Sequence, residues 1–443
     1  MAVVAALLSR RKWNIVLMPL GKVGKFLRIF APLAAIAWAS GIGRASARAL
    51  AVTLALAVAA CATVERIPYT QQEQELAVVP GFPDVRVWAD DPALARRNPV
   101  IDLKNTRERP AILALSGGGA DGAFGAGLLN GWTQRGDRPQ FAVVTGASAG
   151  ALIAPFAFLG SRYDSVLADV FSSGAFEGFL QFEGLSGLFG PGLFAAGPLR
   201  ELIAKHVTPQ VLEEVALQYR AGRKLYIVTT QLDAQRTAIW DMGRIASSGE
   251  PRALELFRRV IEASASIPGI FSPVLIDVEA QGRKFAEMHV DGGVTANVLV
   301  VPEAMMLANR PILPSGVRPR IYVVINGKLT PYFEVIRPTT IRIAIRAFET
   351  SVRANTRNTL LASYEFIRRR NWEIQLASID PVFPSQEKPG FDTAYMKGLF
   401  EFGIEQGRTG AAWRRGPGSD APPPPSVVRR QRVVQQAQPQ AAE

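Results

Sequence analysis

Gly146-Ala147-Ser148-Ala149-Gly150 has the form G-x-S-x-G, a spacing that suits a nucleophilic serine. A serine on a tight strand-to-helix turn is pushed out beyond the sheet edge. Flanking glycines let neighbouring backbone pass without a Cβ clash, and a helix N-terminus behind the serine favours negative charge. Upstream, Ser116-Gly117-Gly118-Gly119-Ala120-Asp121-Gly122 follows a short apolar run. Glycines there let backbone N–H groups converge on an anion, which in acyl transfer is the oxyanion of a tetrahedral intermediate. Gly117, Gly119 and Gly122 also satisfy G-x-G-x-x-G, the dinucleotide fingerprint. That alternative expects an acidic residue at the end of the next strand to hold a ribose. The chain reads Thr145-Gly146-Ala147-Ser148 there instead, which favours the oxyanion role. No G-K-[ST] occurs, so a P-loop is excluded.

A third feature is Asp291-Gly292-Gly293, after Glu287-Met288-His289-Val290. A carboxylate at a strand end followed by two glycines suits a general base, and equally a plain turn. The chain has only two histidines, His206 and His289, whereas a Ser–His–Asp triad needs one beside the serine. His289 lies two residues before Asp291, so on a strand both face one side. It reads as a hydrogen-bonded neighbour of the site in preference to its base. Cys61 is the only cysteine, so no intrachain disulfide and no cysteine metal cluster can form.

These residues need a scaffold that presents them together. Short apolar runs at Ala111–Leu115, Phe141–Val144, Leu225–Thr229, Met288–Val290 and Ile321–Ile325 read as strands, with Trp372–Ala377 as a further candidate. Helical patterns lie between them at Gly122–Trp132, Ala149–Phe158, Leu254–Ser264 and Ile341–Arg370. Buried strands alternating with helices predict an α/β fold around a mainly parallel sheet.

Taken in order, the glycine loop, G-x-S-x-G and the distant D-G-G resemble the patatin-like phospholipase family over about residues 111–300. The resemblance implies a three-layer α/β/α sandwich and a serine acyl hydrolase cleaving acyl esters of lipids. It implies Ser148 as nucleophile, Asp291 as its base, and amides of Gly117, Gly118 and Gly119 as the oxyanion hole. It implies no metal and no cofactor. Asp121 departs from the family loop, which usually carries a basic residue there. This keeps the oxyanion glycines but shifts the expected substrate toward neutral acyl esters, or lysophospholipids in another pose. Glu262–Phe271 resembles a family segment that shapes the acyl pocket. An alternative of another class is a non-catalytic, membrane-anchored lipid-binding or assembly lipoprotein, for which Asp121 is the only support.

The ends of the chain read differently from this body. The formal charge is +12 over 443 residues. Residues 1–60 carry Arg10, Arg11, Lys12, Lys22, Lys25, Arg28, Arg44 and Arg48 and no acid, and the tail adds further arginines. The body is near neutral, which argues against nucleic acid as a partner. Ala49–Ala60 is an apolar run too short to span a bilayer but fitting a signal peptide, and it ends in Val58-Ala59-Ala60-Cys61. Those residues resemble a bacterial lipoprotein box, which implies a lipidated Cys61, a membrane anchor and a place in the cell envelope facing the periplasm. An upstream apolar stretch, Ile29–Ala39, makes the leader long, as an over-extended start codon would. The expected organisation is a leader over 1–60, a linker over 61–108, the hydrolase domain over 109–408 and a disordered Pro/Arg/Gln-rich tail over 409–443. Phe171–Ala196, rich in Phe, Leu and Gly, suits either an acyl-chain wall or lid, or ordinary core.

Overall fold

Ala111–Leu115 is apolar at every position and all five residues are buried, so this strand needs cover on both faces. The computed structural model describes residues 66–97, 109–177, 192–308, 312–379, 381, 383–384 and 390–417. Its strands are β1 (Arg86–Trp88), β2 (Ala111–Leu115), β3 (Phe141–Ala147), β4 (Gly192–Phe194), β5 (Lys224–Gln231) and β6 (Arg236–Asp241). They continue with β7 (Gly269–Phe271), β8 (Val274–Ala280), β9 (Arg283–Asp291), β10 (Arg320–Ile325) and β11 (Glu373–Ser378).

The main sheet runs β1-β6-β5-β3-β2-β10-β11, with β9 beside β5 and β8 beside β9. Its centre, β5-β3-β2-β10-β11, is parallel throughout. The flanking β1, β6, β8 and β9 join antiparallel, an addition the apolar runs did not announce. β4 and β7 form a separate two-stranded sheet. Five helices that pack on this sheet are α1 (Gly122–Arg135), α2 (Ala149–Leu159), α3 (Ala253–Ser264), α4 (Thr340–Arg369) and α5 (Thr393–Thr409).

Alternation along the strands divides the core in two. Leu113 and Leu115 of β2, with Tyr322 and Val324 of β10, pack among Phe124 of α1, Ile153 of α2, Phe257 of α3 and Leu399 of α5. Ile112 and Ala114, with Ile321 and Val323, face the other way, toward Leu360 and Ile367 of α4. The result is a mixed α/β architecture with helices on both faces of a sheet whose centre is parallel.

Residues 66–97 correct the linker expectation. Thr70 and Glu73 make a capping box at the start of a helix, Gln71–Leu76. β1 pairs with β6, and Arg66 binds Asp233 through a two-pronged contact at 2.9 and 2.6 Å. The leader, Cys61 and the tail from residue 418 lie outside the described residues.

Candidate active site

β3 ends at Ala147 and α2 begins at Ala149, so Ser148 alone makes the turn between them. Its backbone takes φ 51° and ψ −123°, a conformation that costs a non-glycine residue of order 1–3 kcal/mol. Close packing requires the glycines on either side. A Cβ at Gly146 would lie 2.4 Å from the Gly150 carbonyl oxygen, and one at Gly150 would lie 2.5 Å from that of Leu115. Serine at a helix N-cap normally accepts from the first turn with its hydroxyl. Ser148 makes no such bond, which leaves Oγ uncommitted to the helix. The Ser148 amide donates to Ser264 Oγ at 3.0 Å, and that hydroxyl donates to the Val228 carbonyl at 2.6 Å. Ser264 thereby ties the strained turn to the end of α3 and to β5.

β5 sets the distance between Ser148 and Asp291. Val228 is in register with Ala147 of β3, and the next residue, Thr229, is in register with Asp291 of β9. The parallel strand stops and the antiparallel one begins at that point, so the two ends meet. Asp291 is buried, at 3% exposure. Its Oδ1 accepts the Gly293 amide at 2.7 Å, its amide donates to the Ser266 carbonyl, and its carbonyl accepts Thr230 Oγ1. Oδ2 is buried and has no hydrogen bond of ordinary geometry. Burial pushes the carboxyl up to about 7, opposed by the Ser148 hydroxyl beside it and by the Gly293 amide. A carboxyl poised there can take and return a proton near neutral pH.

The glycine loop reaches the same point with one change from expectation. Gly117 is not available as an amide donor, because its N–H is spent on the Asn297 carbonyl at 2.9 Å. The amides of Gly118 and Gly119, and that of Ala149 at the start of α2, donate to nothing among the described residues. Asn326, just after β10, holds the loop: its Nδ2 donates to the Ser116 carbonyl, and its Oδ1 accepts the Gly125 amide. A Cβ at Gly118 would come within 1.9 Å of the Asn326 carbonyl oxygen. Asp121 accepts the Tyr395 hydroxyl at 2.6 Å in place of a direct arginine partner. Burial raises its carboxyl to about 6, with Tyr395, Lys328 and Arg353 opposing.

The patatin-like phospholipase family model matches residues 113–304, the span that carries all three motifs. Over that span the chain is similar to patatin-like phospholipases. The family is one of lipid acyl hydrolases. Among solved structures the chain is similar to VipD from Legionella pneumophila, at 14% identity and a TM-score of 0.31, over 69% of this chain and 67% of that one. It is also similar to the type III effector protein ExoU, at 13% identity and a TM-score of 0.24, over 68% of this chain and 53% of that one. The comparison with curated protein sequences gives no match.

Within the matched span, both histidines are placed elsewhere. His289 is fully buried; its Nδ1 lies 2.9 Å from Thr229 Oγ1 and its Nε2 3.2 Å from Glu287 Oε2. Trp240 Nε1 also donates to Thr229, and Arg86 pairs with Glu287, which closes a buried polar chain. Burial holds the imidazole below its ordinary value. His206 sits at the end of another helix, away from the serine turn; its Nε2 lies 3.4 Å from Asp169 Oδ2 without a hydrogen bond. Ser264, Asn297, Asn326 and Tyr395 are site neighbours that sequence reasoning missed. Only Ser264 had a signal, the Glu262–Phe271 segment, read there as pocket wall.

Beside Ser148 is a cavity of about 20 Å³ walled by Leu152, Phe176, Leu199, Ile267, Phe271 and Phe391. It has room for about one water molecule. Phe176 stacks on Phe391 with ring centres 4.8 Å apart. Phe176 belongs to the Phe171–Ala196 stretch, whose residues 178–191 lie outside the described residues. A larger cavity, of about 340 Å³, lies around Trp132, Arg320 and Trp413. Arg320 starts β10 at the opposite end of the parallel strands, so that cavity is remote from the serine turn. Among the described residues, no group of three or more His, Cys, Asp or Glu side chains could hold a metal ion.

Proposed function

We propose that the domain, residues 109–408, hydrolyses acyl esters of lipids through Ser148 and Asp291. The observation that carries this reading is a buried carboxyl, raised to about 7, beside a serine hydroxyl on a strained strand-to-helix turn. Asp291 takes the Ser148 proton as Oγ attacks the ester carbonyl. The amides of Gly118, Gly119 and Ala149 receive the oxyanion, with Gly117 shaping the loop instead of donating. The intermediate collapses, the C–O bond to the alcohol breaks, and Asp291 returns the proton to the leaving oxygen. Water then gives its proton to Asp291 and attacks the acyl-enzyme. Ser148 leaves with that proton, and the fatty acid is released.

Asp121 is mostly ionised near neutral pH, since its carboxyl is raised only to about 6 and accepts the Tyr395 hydroxyl, so the loop offers an anionic substrate group no cation. This supports neutral acyl esters or lysophospholipids as substrates. The anchor reading is part of the proposal: lipidation at Cys61 would hold the domain at a bacterial membrane, within the cell envelope.

A fluorophosphonate probe with a p-nitrophenyl ester series tests the function. Wild type forms an adduct at Ser148 and turns over esters, and Ser148→Ala does neither. The kcat/KM of wild type falls as pH drops below about 7, because the base then holds a proton. An unlabelled but folded wild type would establish the non-catalytic lipoprotein instead. Mass spectrometry of the mature N-terminus tests the anchor, and an intact, unlipidated Cys61 refutes it.

A further inference from the structure

The parallel strands β2, β3 and β10 end on the side of the sheet that carries the glycine loop and Ser148. The chain leaves β10 at that same end, and Asn326 touches Gly118 as it goes. It then runs outward to Thr339 and returns along α4, where Asn355 donates to the Thr295 carbonyl and Thr356 Oγ1 accepts from Asn297. The two ends of this excursion, Asn326 at one and Asn355 with Thr356 at the other, therefore stand beside the site, with residues 327–345 between them. Tyr332 anchors them: the guanidinium carbons of Arg346 and Arg353 lie 4.4 and 4.7 Å from its ring centre.

The outer part of this segment presents what a water-facing loop avoids. Phe333 is 92% exposed and Val335 82%, the two most exposed large apolar side chains among the described residues, and Ile343 is 51% exposed. Apolar groups concentrated this way mark an interaction surface. Between them stand Arg337 and Arg342, both exposed. The nearby acids Glu334 and Glu349 are both spent on Arg346. Among the described residues, neither Arg337 nor Arg342 makes an ion pair. From 328 to 357 the chain has six basic and two acidic residues. Apolar tips flanked by unpaired cations complement an anionic bilayer: the tips enter the acyl boundary while guanidinium groups stay with phosphates.

We infer that Phe333, Val335, Ile343, Arg337 and Arg342 form the surface that seats this protein on an anionic lipid bilayer, with the mouth of the Ser148 site turned toward the membrane. The inference extends the lipid-hydrolase proposal but is read from a separate surface.

The test uses the full chain carrying Ser148→Ala, so that no lipid is consumed, and Cys61→Ser, which removes the sole native thiol and any acyl anchor. Val335→Cys is then labelled with a polarity-sensitive thiol dye. Vesicles of phosphatidylcholine alone are compared with vesicles in which a third of the lipid is phosphatidylglycerol. The dye is expected to shift to the blue on the anionic vesicles and much less on the neutral ones. Adding Arg337→Gln and Arg342→Gln raises the lipid concentration at the midpoint about twenty-fivefold, near fivefold for each lost cation. The same dye at Leu217→Cys, an exposed apolar position on the helix Pro209–Arg220, stays unchanged. The inference is overturned if the Val335 dye stays in water while vesicles sediment the protein, or if it shifts equally on neutral vesicles. A matching shift at Leu217, or a shift without lipid that marks a protein contact, overturns it as well. With Ser148 intact, Phe333→Ser leaves turnover of a soluble p-nitrophenyl ester within about twofold. A dye that moves on a wild type unable to cleave any ester would keep the surface and discard the hydrolase reading.

Discussion

Asp291→Asn separates the catalytic cost of a buried carboxyl from its structural cost. Asparagine keeps the shape and still accepts the Gly293 amide through its oxygen, and its NH₂ can donate where Oδ2 now has no partner. The wild-type carboxyl is raised from 3.8 to about 7 by burial. Its proton is therefore held more tightly in the folded chain than in the unfolded one, and the stability this contributes is lost as pH rises. Below about pH 4 both states hold the proton, and wild type and variant should match. From there to about pH 7 the unfolded wild type releases its proton first, and its stability relative to the variant falls by about 1.4 kcal/mol per pH unit. Above about 7 the folded chain must carry a buried charge, and the gap levels off at no more than about 4 kcal/mol in favour of Asp291→Asn. Urea unfolding followed by tryptophan fluorescence at about pH 4, 6 and 8 measures the gap directly. Ester turnover by the same variant should fall by about two to four orders of magnitude. A stability difference that is constant with pH would refute the raised carboxyl. A variant that still cleaves esters would refute Asp291 as the base.

Three further substitutions probe the surroundings. His289→Gln should keep ester turnover within about tenfold while costing about 1–3 kcal/mol of stability, because the ring serves a buried polar chain; loss of turnover in a folded protein would move the base to His289. Ser264→Ala leaves the Ser148 amide and the Val228 carbonyl without their partner, so kcat should fall about tenfold with KM little changed; an unchanged kcat would show that the tie does not hold the nucleophile. Gly118→Ala places a Cβ 1.9 Å from the Asn326 carbonyl oxygen and must shift the loop, so turnover should drop by about a hundredfold or more at a melting temperature that shows a folded chain.

How much of this was legible in the chain follows from the range of each interaction. β2 appears in the structure with the bounds that its apolar run predicts, and α1, α2 and α3 start within a residue of theirs. Local periodicity suffices where a segment buries one kind of surface. β9 was seen only at its end because its inward positions include Glu287 and His289, which break the apolar alternation. β1 is three residues long, within a proline-rich stretch that reads as linker, and only its pairing with β6 makes it a strand. The asparagine supports of the glycine loop were invisible for a different reason. Asn326 holds Gly125 across 201 positions, and asparagine in a loop has no spacing that announces a distant partner.

The order of residues by itself marked the tight turn at Ser148 through G-x-S-x-G, although Leu115 and Ser264 from elsewhere in the chain hold its strained backbone. It also determined the α/β class, through buried runs alternating with helices. Tertiary structure decided what that turn faces. Ala147 and Asp291 lie 144 positions apart, and only adjacent registers on β5 bring the two strand ends together. The fold likewise decided which amides remain for an oxyanion, withdrawing Gly117 by pairing it with Asn297. It supplied the burial that lifts Asp291 to about 7 as well. Hydrogen-bond competition and desolvation depend on what packs around a group, and that is set by the whole chain at once.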